Sequence, residues 1–397
     1  MNKSYFKSEI QGLRGISIIS VLLYHYFPNL FLSGFLGVDI FFVISGYVIT
    51  SFLHRSYLEQ NKLNFILNFY SKRILRLLPA LLFCVLVISI LIIILTSRPA
   101  GEIFVSGGSS LLASSNIYFF IKSTDYFTLN FELNPFLHTW SLGVEEQFYL
   151  IFPFFFIFFK YSKNLENIFK SNFWFFLKIL TVSSLVSFII FELISKDSTF
   201  YLMPFRFWEL SMGSIIFFYK EKFKNYNFDR LIIFSFIFIL LVFFLPQYIR
   251  NISTILIVFL SSFLILFINK KNFIYKILTL NFFLFFGKIS YSLYLWHWSL
   301  LVLVNWTLGS SLMIKITSII LSVIISIFSY SYIERPFRYN SWSINSKKII
   351  FFGIIISLLS SWIIIFQLPK YSNIFNIKIS NIFDIKKVPI DEPKIAK

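Results

Sequence analysis

The chain has 397 residues, of which 57% are hydrophobic, 21% aromatic and only 14% charged, with a formal net charge of +18 and a mean hydropathy of +0.77. A soluble chain carries about a quarter charged residues, so this composition excludes one water-soluble core and demands lipid as solvent. The positive charge falls between apolar runs, where it orients a membrane protein, and this argues against nucleic acid as a partner.

Residues 1–9 are polar and carry no signal-peptide pattern. The first apolar run contains Arg14 and His25 and lacks a small-residue cleavage site, so it reads as a retained helix. A spanning helix needs about 20 mostly apolar residues. The sequence predicts eleven: 13–30, 34–53, 77–96, 139–159, 173–195, 204–219, 231–247, 253–269, 282–304, 312–333 and 349–368. The fold class is therefore all-α, a polytopic transmembrane helical bundle of ten core helices and one more at the C-terminal end. The ninth span contains Gly287-Lys288-Ile289-Ser290, a polar patch predicted to kink it. Residues 55–76 read as an amphipathic interfacial helix, with Phe65, Leu67, Phe69 and Ile74 among basic residues. Residues 97–138 form the one long external loop, Ser/Gly-rich and aromatic, with stretches at or dipping into the membrane surface. The single cysteine, Cys84, lies inside an apolar run and can make no internal disulfide. The domain reading is a transmembrane domain over 1–340, an added helix over 341–368 and a loosely ordered external tail over 369–397.

Lysine and arginine test this division. Alternate loops, starting with the N-terminus, hold 21 of them, from Lys3 to Lys348. The opposite loops hold only Arg98, Lys122, Lys196 and Arg250. That asymmetry places the N-terminus in the cytoplasm and the tail outside.

Charge inside a membrane is costly and marks function or a structural ion pair. His25 lies five residues before the outer end of the first predicted span, about 8 Å deep, and Asp39 lies equally far into the second. Glu145 and Glu146 sit in the outer part of the fourth span, Arg206 and Glu209 in that of the sixth. His297 lies about 12 Å deep in the ninth. Five helices thus contribute to one outer-half layer, which a shared polar cavity explains. His25 and His297 are candidate general bases, and a carboxylate such as Asp39 would orient an imidazole. Against this, His297 stands in an aromatic stretch where a packed, hydrogen-bonded histidine is common.

Arg14 and His25 are eleven residues apart, which returns to within about 20° of one helix face some 16 Å along the axis. An anionic head on a long neutral arm would fit that ruler, and coenzyme A has the shape, although the ruler does not establish it. Its phosphates would need inner basic groups. Arg73 and Arg76, three residues apart on one face, supply them; positive-inside anchoring also accounts for these two.

These residues stand in stretches that resemble, in order, the acyltransferase type 3 family of bacterial membrane O-acyltransferases, the O-antigen acetylase group. The stretches are Ile10-Gln11-Gly12-Leu13-Arg14 with Tyr24-His25, the run Gly34 to Tyr47, Arg73 to Pro79, Leu137 to Tyr149, Arg206 to Leu210, Ser290 to Trp298 and Glu334 to Arg338. The resemblance implies transfer of an acyl group, acetyl in most members, from cytoplasmic acyl-coenzyme A to hydroxyls of a surface polysaccharide or glycolipid. It implies essential roles for Arg14 and His25, coenzyme A binding by Arg73 and Arg76, and a role for Glu145 and Glu146. Within its motifs Tyr291 becomes a proton-relay candidate, and His138, Glu334 and Arg335 join Arg206 and Glu209 as polar-cavity candidates. No tightly bound cofactor and no metal are expected; acyl-coenzyme A is a co-substrate, and membrane lipid and the glycan acceptor are the partners. Many members continue into an external SGNH hydrolase-like domain, whereas this sequence ends at residue 397. The acceptor then meets the membrane domain directly, a separate periplasmic transferase completes the transfer, or the chain is truncated; the first is preferred. The rival is a transporter or flippase of a lipid-linked glycan, which also explains buried charge but leaves the Arg14–His25 face unexplained.

Overall fold

The computed structural model describes residues 7–59, 62–95, 101–124, 133–160, 166–223, 226, 228–339 and 345–370. Helices dominate. In chain order they are α1 (Ser8–Tyr26), α2 (Gly37–Glu59), α3 (Lys62–Leu95), α4 (Gly101–Leu111), α5 (Ser115–Thr124), α6 (Trp140–Lys160), α7 (Glu166–Ile194) and α8 (Lys196–Tyr201). They continue with α9 (Met203–Lys222), α10 (Asp229–Val242), α11 (Arg250–Phe267), α12 (Phe273–Leu278), α13 (Asn281–Thr307), α14 (Leu312–Ser329), α15 (Arg335–Tyr339) and α16 (Ser346–Trp362). The expected all-α fold stands. The tail beyond 370 lies outside the described residues.

Among the described residues, six helices are long and apolar enough to cross a membrane: Gly34–Ser56, Leu63–Leu95, Phe175–Ile194, Gln247–Phe267, Leu312–Tyr339 and Ser346–Lys370. The other five expected spans fall on α1, α6, α9, α10 and α13. Four of these carry the ionisable or polar site candidates that lower their hydropathy, and α10 has only 14 residues. The chain is a multi-pass membrane protein.

Three details differ from the expectations. α1 stops at Tyr26 and not near residue 30, because Pro28 has no N–H to offer and drives Phe27 out of helical geometry, to φ −133° and ψ 62°. The described residues between 55 and 76 form no separate interfacial helix: 55–59 complete α2, and 62–76 open the 34-residue α3. The external segment contains the regular helices α4 and α5, with buried serines.

The chain divides into two compact units. Unit 1 comprises Met1–Tyr70 and Ser141–Tyr294; unit 2 comprises Ser71–Trp140 and Leu295–Lys397.

In unit 1, helices approach backbone to backbone. A Cβ on Gly46 would lie 1.7 Å from the Leu210 carbonyl oxygen, and one on Gly213 would lie 1.9 Å from that of Val43. The α2–α9 seam is thus closed by reciprocal glycines, a small-residue contact that lets helices touch where lipid supplies no hydrophobic drive. At Gly287 of α13 the missing Cβ admits the Gln11 carbonyl oxygen of α1, 1.9 Å from where that carbon would be. α2 and α9 run parallel, with Asp39 against Arg206 and His54 against Phe217, as do α1 and α13, with Gln11 against Leu284 and Arg14 against Ser290; α1 and α2 are antiparallel, Gly34 meeting Ser20 and Gly37 meeting Ser17. Those relative directions agree with the lysine and arginine alternation. Gly46→Val is expected to lower the thermal unfolding midpoint in detergent by at least the equivalent of about 1–3 kcal/mol of overpacking; an unchanged midpoint would show that the seam is looser than this.

In unit 2, α4 lies on α16. Ser361 Oγ donates to the Gly108 carbonyl at 3.1 Å, and a Cβ on Gly108 would meet the side chain of Ile365 at 2.5 Å. α14 buries a stripe of Ser318, Ser322, Ser326 and Ser329. Its hydroxyls bond back along the helix, Ser322 to Ser318 O at 2.7 Å and Ser326 to Ser322 O at 2.6 Å. A π-helical turn, Tyr330–Glu334, comes next and buries Glu334.

Candidate active site

The best-defined polar group of unit 1 lies where α2 and α9 begin. Arg206 Nη1 donates to Asp39 Oδ1 at 2.7 Å and to Glu209 Oε1 at 2.8 Å. Its Nε donates to the Phe200 carbonyl at 3.3 Å. The three side chains are 3%, 4% and 0% exposed for Arg206, Asp39 and Glu209, so water solvates none of them and the one guanidinium must serve both carboxyls. The local sequence explains the placement. Asp39 falls in the first turn of α2, and Arg206 and Glu209 are three apart on α9, one face of one helix. Glu209 Oε2 is buried with no hydrogen-bond partner among the described residues. The cluster therefore holds two carboxyls, one guanidinium and one acceptor to spare.

A second ion group lies beside it. Arg250 Nη2 donates to both carboxylate oxygens of Glu192 at 2.8 Å, and Thr199 Oγ1 donates to Glu192 Oε2 at 2.5 Å. The guanidinium carbons of Arg206 and Arg250 lie 5.5 and 5.4 Å from the Phe200 ring centroid, so one aromatic ring serves both cations. Sequence reasoning missed this group. The signal was present: Glu192 is an acid inside an apolar run, and Arg250 is one of the few cations in the charge-poor loops.

The remaining unit 1 candidates lie on neighbouring helices. Ser45 Oγ donates to Glu145 Oε1 at 2.6 Å, and Tyr149 OH donates to Glu145 Oε2 at 3.0 Å. Glu146 is half-buried on the next position of α6. Arg14 Nη2 donates to Ser290 Oγ at 2.8 Å, tying α1 to α13. Tyr291 is buried one residue farther on, and Tyr294 shares a hydrogen bond of 2.7 Å with Ser141. His25 is half-buried in the last turn of α1, its ring 5.1 Å from that of Tyr24. Because α1 ends early, His25 lies one residue from the helix end, shallower than the sequence implied. His25, Asp39, Glu145, Glu146, Arg206 and Glu209 all fall within about two turns of the ends of their helices. Asp39, a candidate to orient His25, has its Oδ1 on Arg206.

Unit 2 holds the other candidates. His297 is fully buried, with its ring 5.8 Å from that of buried His138 at an interplanar angle of 73°. Around them the start of the 134–139 segment is pinned to α13: Trp298 Nε1 donates to Asn134 O at 2.8 Å and Ser299 Oγ to Pro135 O at 2.7 Å. Arg73 and Arg76 are half-buried on α3, and the Nε of Arg76 is buried without a hydrogen-bond partner among the described residues. Arg338 Nη1 lies 3.5 Å from Glu334 Oε1 and within electrostatic reach of Arg76. Arg335, between them in sequence, is exposed.

Comparison with known proteins bears on this set. The chain matches the acyltransferase domain family over residues 7–332. It is 31% identical over 348 residues to the O-acetyltransferase OatA of Staphylococcus aureus strain NCTC 8325, covering 83% of this chain and 57% of the relative. The OatA proteins of strains COL and MRSA252 match with the same identity and coverage. The chain therefore spans a little over half the length of these curated relatives. No solved structure matches. The family match runs from the start of α1 to the π-helical turn after α14, through nearly every motif described above, and the chain belongs to the acyltransferase type 3 family.

Proposed function

We propose that this protein is a membrane O-acyltransferase that moves an acyl group, acetyl in the first instance, from cytoplasmic acyl-coenzyme A to a hydroxyl of a cell-surface polysaccharide or glycolipid. The observation that carries this reading is the arrangement of unit 1. A potential base, His25, and a permanent cation, Arg14, stand on one helix, beside helices whose ends carry Asp39, Arg206, Glu209 and Glu145.

In the proposed reaction His25 takes the proton of the acceptor hydroxyl, directly or through Tyr291. The oxygen attacks the thioester carbonyl, a C–O bond forms and the C–S bond breaks. The proton passes from His25 to the departing coenzyme A thiolate, so charge and atoms balance. Glu145 is a second candidate to orient the imidazole, its own carboxylate held by Ser45 and Tyr149. Asp39, Arg206 and Glu209 hold the helix ends in place. Arg14 is proposed as an anion ligand for the donor in unit 1. In unit 2 the same role is proposed for Arg73 and Arg76. The orphaned Nε of Arg76, with Arg338 nearby, supports it, since crowded guanidiniums with a buried donor to spare suit a phosphate. Glu146, His138, His297, Glu334 and Arg335 remain proposed contributors to the polar interior. The inner membrane, with a cytoplasmic N-terminus, is the proposed location.

Acyl-coenzyme A titration with thiol detection tests the donor. Arg14→Ala is expected to raise the half-saturating donor concentration by roughly 10-fold or more, the loss of a charge-assisted contact of about 1.5–3 kcal/mol. An unchanged value would remove Arg14 from donor binding. Thiol release that depends on added glycan acceptor supports transfer; glycan movement across the membrane without thiol release supports the transporter reading instead.

A further inference from the structure

Within unit 1, α9, α10 and α11 enclose an open groove of about 530 Å³. That volume lies in the range of small-molecule sites. Its walls come from the C-terminal half of α9, the N-terminal half of α10 and the later part of α11, and they are almost wholly apolar. These stretches lie at one end of their helices, the cytoplasmic end by the lysine and arginine alternation.

Besides Ser235, which also lines the groove, two polar features break or border the apolar wall. Ser262 lines the groove and is 4% exposed, yet its hydroxyl has no hydrogen-bond partner among the described residues. A helical serine ordinarily bonds back along its own helix, as neighbouring Ser261 does to Val258 O at 3.1 Å. The second feature is Lys178, an exposed cation on α7 whose ammonium sits 5.5 Å from the ring centroid of Tyr219, a groove residue near the end of α9. Ser262 lies five residues before the end of α11, about 8 Å along the helix. From the helix ends inward the groove therefore offers a cation, then a lone hydroxyl donor, then hydrocarbon.

That order matches a glycerophospholipid: phosphate, ester carbonyl, acyl chain. We propose that the groove binds one acyl chain of an anionic glycerophospholipid of the cytoplasmic leaflet, with the headgroup phosphate at Lys178 and a chain ester carbonyl accepting from Ser262. A polyprenyl glycan carrier fits less well, because it has no ester carbonyl and its glycan would face the other side. The choice of leaflet rests on the topology reading; the binding itself is independent of acyl transfer.

The test uses the full chain in nanodiscs, with spin-labelled phosphatidylglycerol or phosphatidylcholine as the probe and no coenzyme A or glycan. The wild type is expected to immobilise phosphatidylglycerol in preference to phosphatidylcholine by about five-fold, the effect of one lysine near a membrane surface. Lys178→Gln is expected to abolish that preference. Leu260→Trp, which fills the groove, is expected to release one immobilised lipid per protein. Ser262→Val loses no protein hydrogen bond, so it keeps the fold; it is expected to lose any preference for ester-linked over ether-linked lipid. An unaltered preference in Lys178→Gln overturns the proposal. So does equal ester and ether binding in the wild type, which would point to a carrier or fatty chain. Because no acyl donor is present, failure of the acyl-transfer reading leaves these results untouched.

Discussion

His25→Ala is expected to lower acyl transfer by about 10² to 10⁴-fold, the contribution of a positioned general base, while leaving the protein folded. The fold should survive because His25 is half-buried in the last turn of α1, where little of the core depends on it. The core contacts of α1 come from other positions, such as Leu13, Ile16, Ile18 and Val21. Rate and fold are measured separately, by thiol release with acceptor present and by the thermal midpoint in detergent. Transfer at the wild-type rate would remove His25 from the chemistry and leave the buried carboxyls without a base to serve.

The largest loss of stability is expected from Arg206→Leu. The substitution removes the cation that Asp39 and Glu209 both face and leaves two carboxyls buried together at 4% and 0% exposure. Breaking a buried ion group from one side costs about 3–5 kcal/mol, because the surviving charge has lost its solvation and its partner. Replacing all three residues, with Asp39→Asn and Glu209→Gln added, should restore much of the loss, since no unpaired charge then remains. A single variant as stable as the wild type would mean that water already reaches the cluster.

Much of this could be read from the sequence. The cost of charge in lipid singled out Asp39, Arg206 and Glu209, and the structure joins them. The alternation of lysine and arginine implied relative helix directions that the contacts of α1, α2, α9 and α13 reproduce. What escaped had physical reasons. Partner choice is three-dimensional, so nothing local showed that Asp39 would meet a guanidinium on α9. The short α1 was legible in Pro28 and was passed over because hydropathy alone set its end. Hydropathy also hides continuity, so the apolar part of α3 concealed the polar turns that precede it. Ser290, the acceptor for Arg14, stands in a recognisable motif, but hydroxyls give no signal of the cation they will meet.

The wide turn at Tyr330–Glu334 has a consequence for comparing family members. The buried serines of α14 recur every three or four positions and end at Ser329, and the next buried polar residue is Glu334, five positions on. Ordinary α-helical spacing would have brought Ile333 to that line. The wide turn absorbs one residue, about 100° of α-helical rotation, so the downstream helix keeps its phase. Chain length here thus carries information independent of residue identity: a relative one position shorter and α-helical throughout would keep its glutamate and both arginines on the same side, whereas one of equal length without the wide turn would swing them to a different side.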